Sequence, residues 1–252
     1  MNLLDNIAIV LRRPKYPENI GAAARAMKNM GFRQLLVVNP ENYDLTRVEK
    51  MATHFAKDII EGIALFDDLK KAVASYTYII GTTARMGRHR QNLFSPSKMA
   101  HKLQSVLQNN TVAIIFGPED KGLSNEDIKL CHALVHIPTD EFSSLNLAQA
   151  VMIICYEIFQ ASREEPESFI PRLATRNELE AMYDQMKEIL IRISFLDPKN
   201  PDYWLNNFRR FFNRLPLSAK EVSIIRGVCR QIDWYGEKKF NDGKNDNIVR
   251  QN

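Results

Sequence analysis

The sequence predicts an α/β protein: a Rossmann-like parallel sheet covered by helices, followed by a small all-α extension. Three observations carry this expectation. Through residue 160 short β-branched runs alternate with longer amphipathic segments, the pattern of strands buried on both faces. After Phe159 those runs cease and only helical patterns follow. The chain has 252 residues, 45% apolar and 25% charged, which suits one large globular domain with an appendage.

Taken in order, strands are expected at IAIVL (7–11), LLVV (35–38), YII (78–80), VAIIF (112–116) and LVHI (134–137). These place an α/β domain over residues 1–160. The charged, proline-containing stretch ASREEPESFIPRLA then reads as a linker, 161–174. Thr175 with Glu178, and Ser218 with Glu221, have the spacing of capping boxes. Helices are therefore expected near 176–195, 202–214 and 219–235, forming a helical extension over 175–235. The polar ending NDGKNDNIVRQN leaves 236–252 as a flexible tail.

Composition excludes several classes. Lys and Arg number 34 against 30 Asp and Glu, a charge of +4 that is too mild to define a partner by itself. Cys131, Cys155 and Cys229 form no CxxC pair, and MNLLDNIAIVLRRP lacks a signal-like apolar stretch, so the reducing cytoplasm is the expected compartment. The most apolar run, Leu147 to Phe159, is shorter than the ~20 residues that span a bilayer, and no membrane is expected. Cys131, His132 and His136 lack a fourth ligand; they read as structural residues, and no metal is expected. P-loop, GxSxG and HExxH motifs are absent, and no GxGxxG follows the first strand, which disfavours a dinucleotide enzyme.

The charge is unevenly spread. Between Gly81 and Gln104 lie five basic residues, Arg85, Arg88, Arg90, Lys98 and Lys102, and no acidic one. Between Lys199 and Arg230 seven basic residues face two acidic ones, with aromatics interleaved as YWLNNFRRFF. Either patch is compatible with a solvated face. Either is also compatible with RNA, the arginines Arg209, Arg210 and Arg214 meeting phosphates and Tyr203 or Trp204 stacking on bases.

Three segments at strand ends, where open α/β sheets bind ligands, hold the candidate chemistry. The first, Glu18 to Arg25, has Gly21 and three alanines that let a helix pack closely, and Arg25 offers a planar fork suited to phosphate. In the second, Phe116 to Glu126, Gly117 and Gly122 bracket a tight turn that carries Glu119; Ser124 there reads as a helix cap. The third, Ile137-Pro138 followed by Ser143-Ser144-Leu145-Asn146-Leu147-Ala148, opens the most apolar helix with cap residues.

In that order, Asn19-x-Gly-x-x-x-Arg25, Phe116-Gly-x-Glu-x-x-Gly-Leu123 and Ile137-Pro with Ser144-Leu-Asn-Leu-Ala resemble the three signature motifs of the SpoU (TrmH-like) branch of the SPOUT methyltransferases. The linker and tail, PRLATRNELE, FRRFF and LSAKEVSIIRG, resemble the TrmJ family of tRNA (cytidine/uridine-2'-O-)-methyltransferases. The resemblance implies a C-terminal trefoil knot in the α/β domain, a homodimer with sites at the subunit interface, and S-adenosylmethionine as cofactor. It also implies 2'-O-methylation of a tRNA cytidine or uridine, at anticodon-loop position 32. The alternatives are another tRNA position, ribosomal RNA, or a catalytically silent RNA-binding protein.

Carried over by position, the cofactor pocket would use Thr82, Thr83, Ala84, Gly117, Ile137, Ser144, Leu145 and Asn146. The catalytic set would be Asn19, Arg25, Glu119, Ser144 and Asn146. The 81–104 loop and the 175–235 extension would grip tRNA.

Overall fold

The computed structural model describes residues 3–84, 93–140, 144–166, 168–213 and 215–249. Seven strands form one sheet: β1 (Ile7–Arg12), β2 (Gln34–Val38), β3 (Ala64–Phe66), β4 (Tyr78–Thr82), β5 (Leu93–Phe94), β6 (Val112–Phe116) and β7 (Ala133–Val135). Their order is β3-β2-β1-β6-β4-β7-β5, and every neighbouring pair is parallel. The five strands expected from the sequence are all present. β3 and β5 were not expected; both are edge strands of three and two residues with no fully buried residue, too short to show a strand pattern. β7 stops at Val135, short of the expected residue 137, where Ile137 precedes Pro138.

Helices α1 (Pro17–Asn29), α2 (Leu45–Ala52), α3 (Lys57–Glu61), α4 (Leu69–Val73), α5 (Pro96–Leu107), α6 (Asn125–Ile128) and α7 (Leu147–Ala161) cover the sheet. On one face α1 packs between α2 and α7, and α7 packs on α5. The small residues of α1 explain the first contact. A Cβ at Gly21 would lie 2.1 Å from the Val48 carbonyl oxygen of α2, so only glycine permits this approach. The opposite face is sealed by Leu69, Ala72 and Val73 of α4 together with Leu130 and Cys131.

The segment 161–174 is fastened to the domain. Asn110 accepts the Leu173 amide at 2.7 Å and donates to the Val106 and Pro171 carbonyls at 3.0 and 3.1 Å. Beyond it come α8 (Arg176–Arg192), α9 (Pro201–Phe212) and α10 (Ala219–Val249), with their own core of Leu179, Met182, Tyr183, Leu205 and Val222. Both expected capping boxes form, at Thr175 with Glu178 and at Ser218 with Glu221. One boundary needs correction: the stretch 236–252, read as a flexible tail, is helical as far as Val249. Polar composition alone suggested fraying, but a helix already nucleated at Ser218 propagates cooperatively, here through Gly227 and Gly236.

Candidate active site

Loops leaving the C-terminal ends of β4 and β6 meet the segment before α7 around a cleft of about 300 Å³. Its backbone frame depends on two glycines. A Cβ at Gly117 would lie 2.4 Å from Gly122 C and Leu123 N, so the loop can fold back on its strand only without a side chain there. Gly122 has φ +65°, the left-handed region that favours glycine. Leu123, Ile137, Leu145, Leu147 and Ala150 give the cleft an apolar wall, with Thr82, Thr83 and Ala84 opposite on the β4 loop. Such a frame suits a flat heterocycle with a short aliphatic arm, held by backbone groups. Of the residues expected to bind cofactor, Thr82, Thr83, Ala84, Gly117, Ile137, Ser144 and Leu145 line this cleft.

A second groove, about 440 Å³, opens beside the first. Glu119, Ser144 and Leu145 belong to both, and Asn19 and Asn146 line the groove alone. Asn146 therefore stands on the groove side of the wall and does not line the first cleft.

At the junction the three motifs are bonded to each other. Glu119 accepts the Lys15 backbone amide on Oε2 at 3.0 Å and the Asn19 side-chain amide on Oε1 at 2.7 Å. Asn19 Oδ1 in turn accepts from Asn146 Nδ2 at 3.0 Å. Asn146 also caps α7, its Oδ1 accepting from the Ala148 and Gln149 amides. Lys15 Nζ reaches Asp120 at 2.7 Å, and this contact raises the lysine and holds the Asp120 carboxyl below its usual range. Lys15 and Asp120 escaped the sequence reading because their roles come from contacts across the fold. So did Tyr16 and Arg47, which line the groove beside Glu18 with no recognisable spacing.

Arg25 lies elsewhere. It is exposed on α1, 6 residues past Asn19, and lines neither cavity. Ser124 caps α6 in a box with Asp127, as read from the sequence. His132 is buried, stacks on Tyr78 and accepts the Ile79 amide on Nδ1 at 3.0 Å; burial, helped by the Arg176 charge, pushes it down to about 3. Burial likewise pushes the Cys131 thiol up to about 12. Among the described residues no group of three or more His, Cys, Asp or Glu side chains is placed to hold a metal.

The expected RNA-contacting arginines divide. Arg85, Arg88, Arg90 and Arg214 lie outside the described residues. Arg210 is exposed on α9. Arg209 is half-buried: its guanidinium reaches Glu180 of α8 at 2.7 and 2.6 Å and lies 4.4 Å from the Tyr183 ring centroid, so it ties α8 to α9. Burial would raise Glu180, but the hydrogen bond from Arg209 and the charges of Arg176 and Arg209 hold it below the usual range.

Comparison with known proteins matches this geometry. The SpoU rRNA Methylase family matches residues 6–156, and the C-terminal domain of tRNA methyltransferase TrmJ matches 177–244. A tRNA (cytidine/uridine/adenosine-2'-O-)-methyltransferase TrmJ of Pseudomonas aeruginosa (strain UCBPP-PA14) is 38% identical over 243 residues, 91% of this chain and 94% of that one. The tRNA (cytidine/uridine-2'-O-)-methyltransferase TrmJ of Pectobacterium atrosepticum is 34% identical over 241 residues, 91% and 98% of the two chains. The crystal structure of TrmJ from Z. mobilis ZM4 superposes with a TM-score of 0.76 at 30% identity, covering 90% of this chain and 98% of that one. Since the family match spans more than half of the sequence and takes in all three bonded motifs, the chain belongs to the SpoU methylase family, with a TrmJ-type domain at its C-terminal end.

Proposed function

We propose that this protein methylates the ribose 2'-oxygen of a tRNA cytidine or uridine, with anticodon-loop position 32 as its target. The observation that carries the reading is the junction: Asn19 is hydrogen-bonded to both Glu119 and Asn146 where a backbone-lined cleft meets an open groove. S-Adenosylmethionine would lie along Thr82–Ala84, Gly117, Ile137 and Leu145, and supplies a methyl group activated by its positive sulfur.

The chain's own residues position and stabilise. Asn19 and Asn146 present amide groups to the ribose, and Glu119, whose carboxylate Asn19 and the Lys15 amide orient, accepts the hydroxyl hydrogen. Ser144 stands at the same rim. Arg25 carries a planar guanidinium fork with donors only, so it orients a phosphate and balances developing oxyanion charge.

That Arg25 is exposed and lines neither cavity of its own chain supports a role in the site of a second subunit of a homodimer. The face of α7 that includes half-buried Met152 and Ile153 and Tyr156, 47% exposed, supplies an apolar surface for that pairing. A tRNA substrate implies action in the cytoplasm; among the described residues no helix is long and apolar enough to cross a membrane.

Mass spectrometry of nucleosides from tRNA incubated with the purified protein and S-adenosylmethionine tests the reading. A 2'-O-methylpyrimidine at position 32 is expected. Methylation confined to ribosomal RNA or to another tRNA position would overturn the target, and none at all would leave an RNA-binding protein.

A further inference from the structure

The groove beside the cofactor cleft holds two side chains that no motif accounts for. Tyr16 is the residue before α1; its backbone carbonyl accepts the Asn19 amide at 3.0 Å, its side chain makes no capping bond, and it is 55% exposed. Its position is fixed from the other side by Pro17, which holds the first helical residue and restricts the one before it. Arg47 lies across the groove on α2. Its Nε and Nη2 reach Glu18 Oε1 at 2.8 and 2.6 Å, and 47% of the side chain stays exposed.

We propose that this groove is the seat of the target nucleotide, with the Tyr16 ring stacking on its base and Arg47 holding an adjacent phosphate. The inference rests on the methyltransferase reading and specifies its substrate side. The scale fits: Asn19, Glu119 and Asn146, which face the ribose, line the same groove as Tyr16 and Arg47. Glu18 fixes one edge of the guanidinium and leaves the fork pre-oriented, which is how arginine favours phosphate. A ring that stacks reads no hydrogen-bonding edge, because every base offers a π-face. Held in this way, cytosine, uracil and adenine are all acceptable, and the names of the two curated relatives differ in this respect, one adding adenosine to cytidine and uridine.

The test uses the full-length protein, a fluorescent anticodon stem-loop RNA, and S-adenosylhomocysteine so that no turnover occurs. Tyr16→Ala should weaken RNA binding about tenfold or more, while Tyr16→Phe stays within about twofold. Arg47→Ala should flatten the plot of log affinity against log salt by about 0.7. Cofactor affinity, measured by calorimetry, should hold within about twofold for all three. Unchanged RNA binding by Tyr16→Ala, or an equal loss of cofactor affinity, would overturn the subsite. Failure of the parent reading looks different: wild-type protein would bind the stem-loop in a Tyr16-dependent manner yet transfer no methyl group. Conversely, full methylation of tRNA by Tyr16→Ala at an unchanged KM would sink the subsite and leave the reaction standing.

Discussion

Asn146 donates its side-chain N–H to Asn19 at 3.0 Å while its oxygen caps α7, so one amide both starts the most apolar helix and completes the link between the first and third motifs. The two duties separate by substitution. Asn146→Asp keeps an oxygen for the cap but cannot donate to Asn19, and it places a second carboxylate near Glu119. Melting temperature should stay close to wild type while kcat falls at least tenfold. Asn146→Ala should lose activity and also about 1 kcal/mol of stability. Wild-type activity in Asn146→Asp, with loss confined to Asn146→Ala, would mean that Asn146 acts only as a cap.

Glu119 receives two donors, the Lys15 amide and the Asn19 side chain. In Glu119→Gln one of the two oxygens becomes an NH₂ group facing a donor, so the bond to Lys15 or to Asn19 must break. Methyl transfer should fall tenfold or more, with tRNA affinity within about twofold. Steady-state kinetics beside a binding titration checks this; a matched drop in binding would move Glu119 from chemistry to scaffolding.

Arg25→Ala should abolish methylation and leave S-adenosylmethionine affinity within a few-fold, since Arg25 lines neither cavity of its own subunit. Arg25→Lys should fail as well, because a point charge does not replace a planar fork. Mixing Arg25→Ala with Glu119→Gln subunits should restore part of the activity through heterodimers. Verified heterodimers without recovery would place Arg25 in its own subunit's reaction.

Arg209 and Arg210 are adjacent in sequence and opposite in expected effect. Arg209→Ala removes one of the two arginines bound to Glu180, and the α8–α10 unit should lose up to about 3 kcal/mol. Arg210→Ala should leave the melting temperature unchanged and flatten the salt dependence of tRNA binding by about 0.7 to 0.9. Calorimetry and a salt series on both variants decide it; an unchanged slope for Arg210→Ala marks that position as solvated surface.

His132, pushed down to about 3 mainly by burial, gives the fold an acid limit. An unfolded histidine titrates near 6.5, so folding favours the neutral ring, and this stabilisation is complete above pH 6.5. It is lost as pH falls from there toward 3, because the unfolded chain takes the proton first. The slope it contributes is at most about 1.4 kcal/mol per pH unit. In urea titrations between pH 7 and 5, His132→Asn should begin less stable and decline less steeply. Equal slopes would assign the acid sensitivity to other groups.

Legibility in the sequence followed the range of the interactions involved. β1, β2, β4, β6 and β7 announced themselves because burial on both faces demands contiguous apolar residues. Ser124, Thr175 and Ser218 did so because a cap and its partner are three residues apart. The motif residues stood out as a set only through their resemblance to a family. What stayed hidden depends on chain segments far apart. Nothing near Arg209 shows that Glu180, 29 residues earlier, awaits it, and nothing near Lys15 names Glu119. Edge strands such as β3 and β5 leave no trace because a few half-exposed residues satisfy no period.

The pairing of β1 with β6 has a kinetic consequence. Ile7 lies beside Val112 and Leu11 beside Phe116, so the middle of the sheet cannot form until a loop of about 100 residues has closed. Such long closure makes for slow refolding. Lys15 and Glu119 lie just beyond the ends of these same two strands, so their bond forms only once the strands are in register. After dilution from denaturant, enzymatic activity should therefore return with the slowest sheet-forming phase and not with the early burst of helical signal.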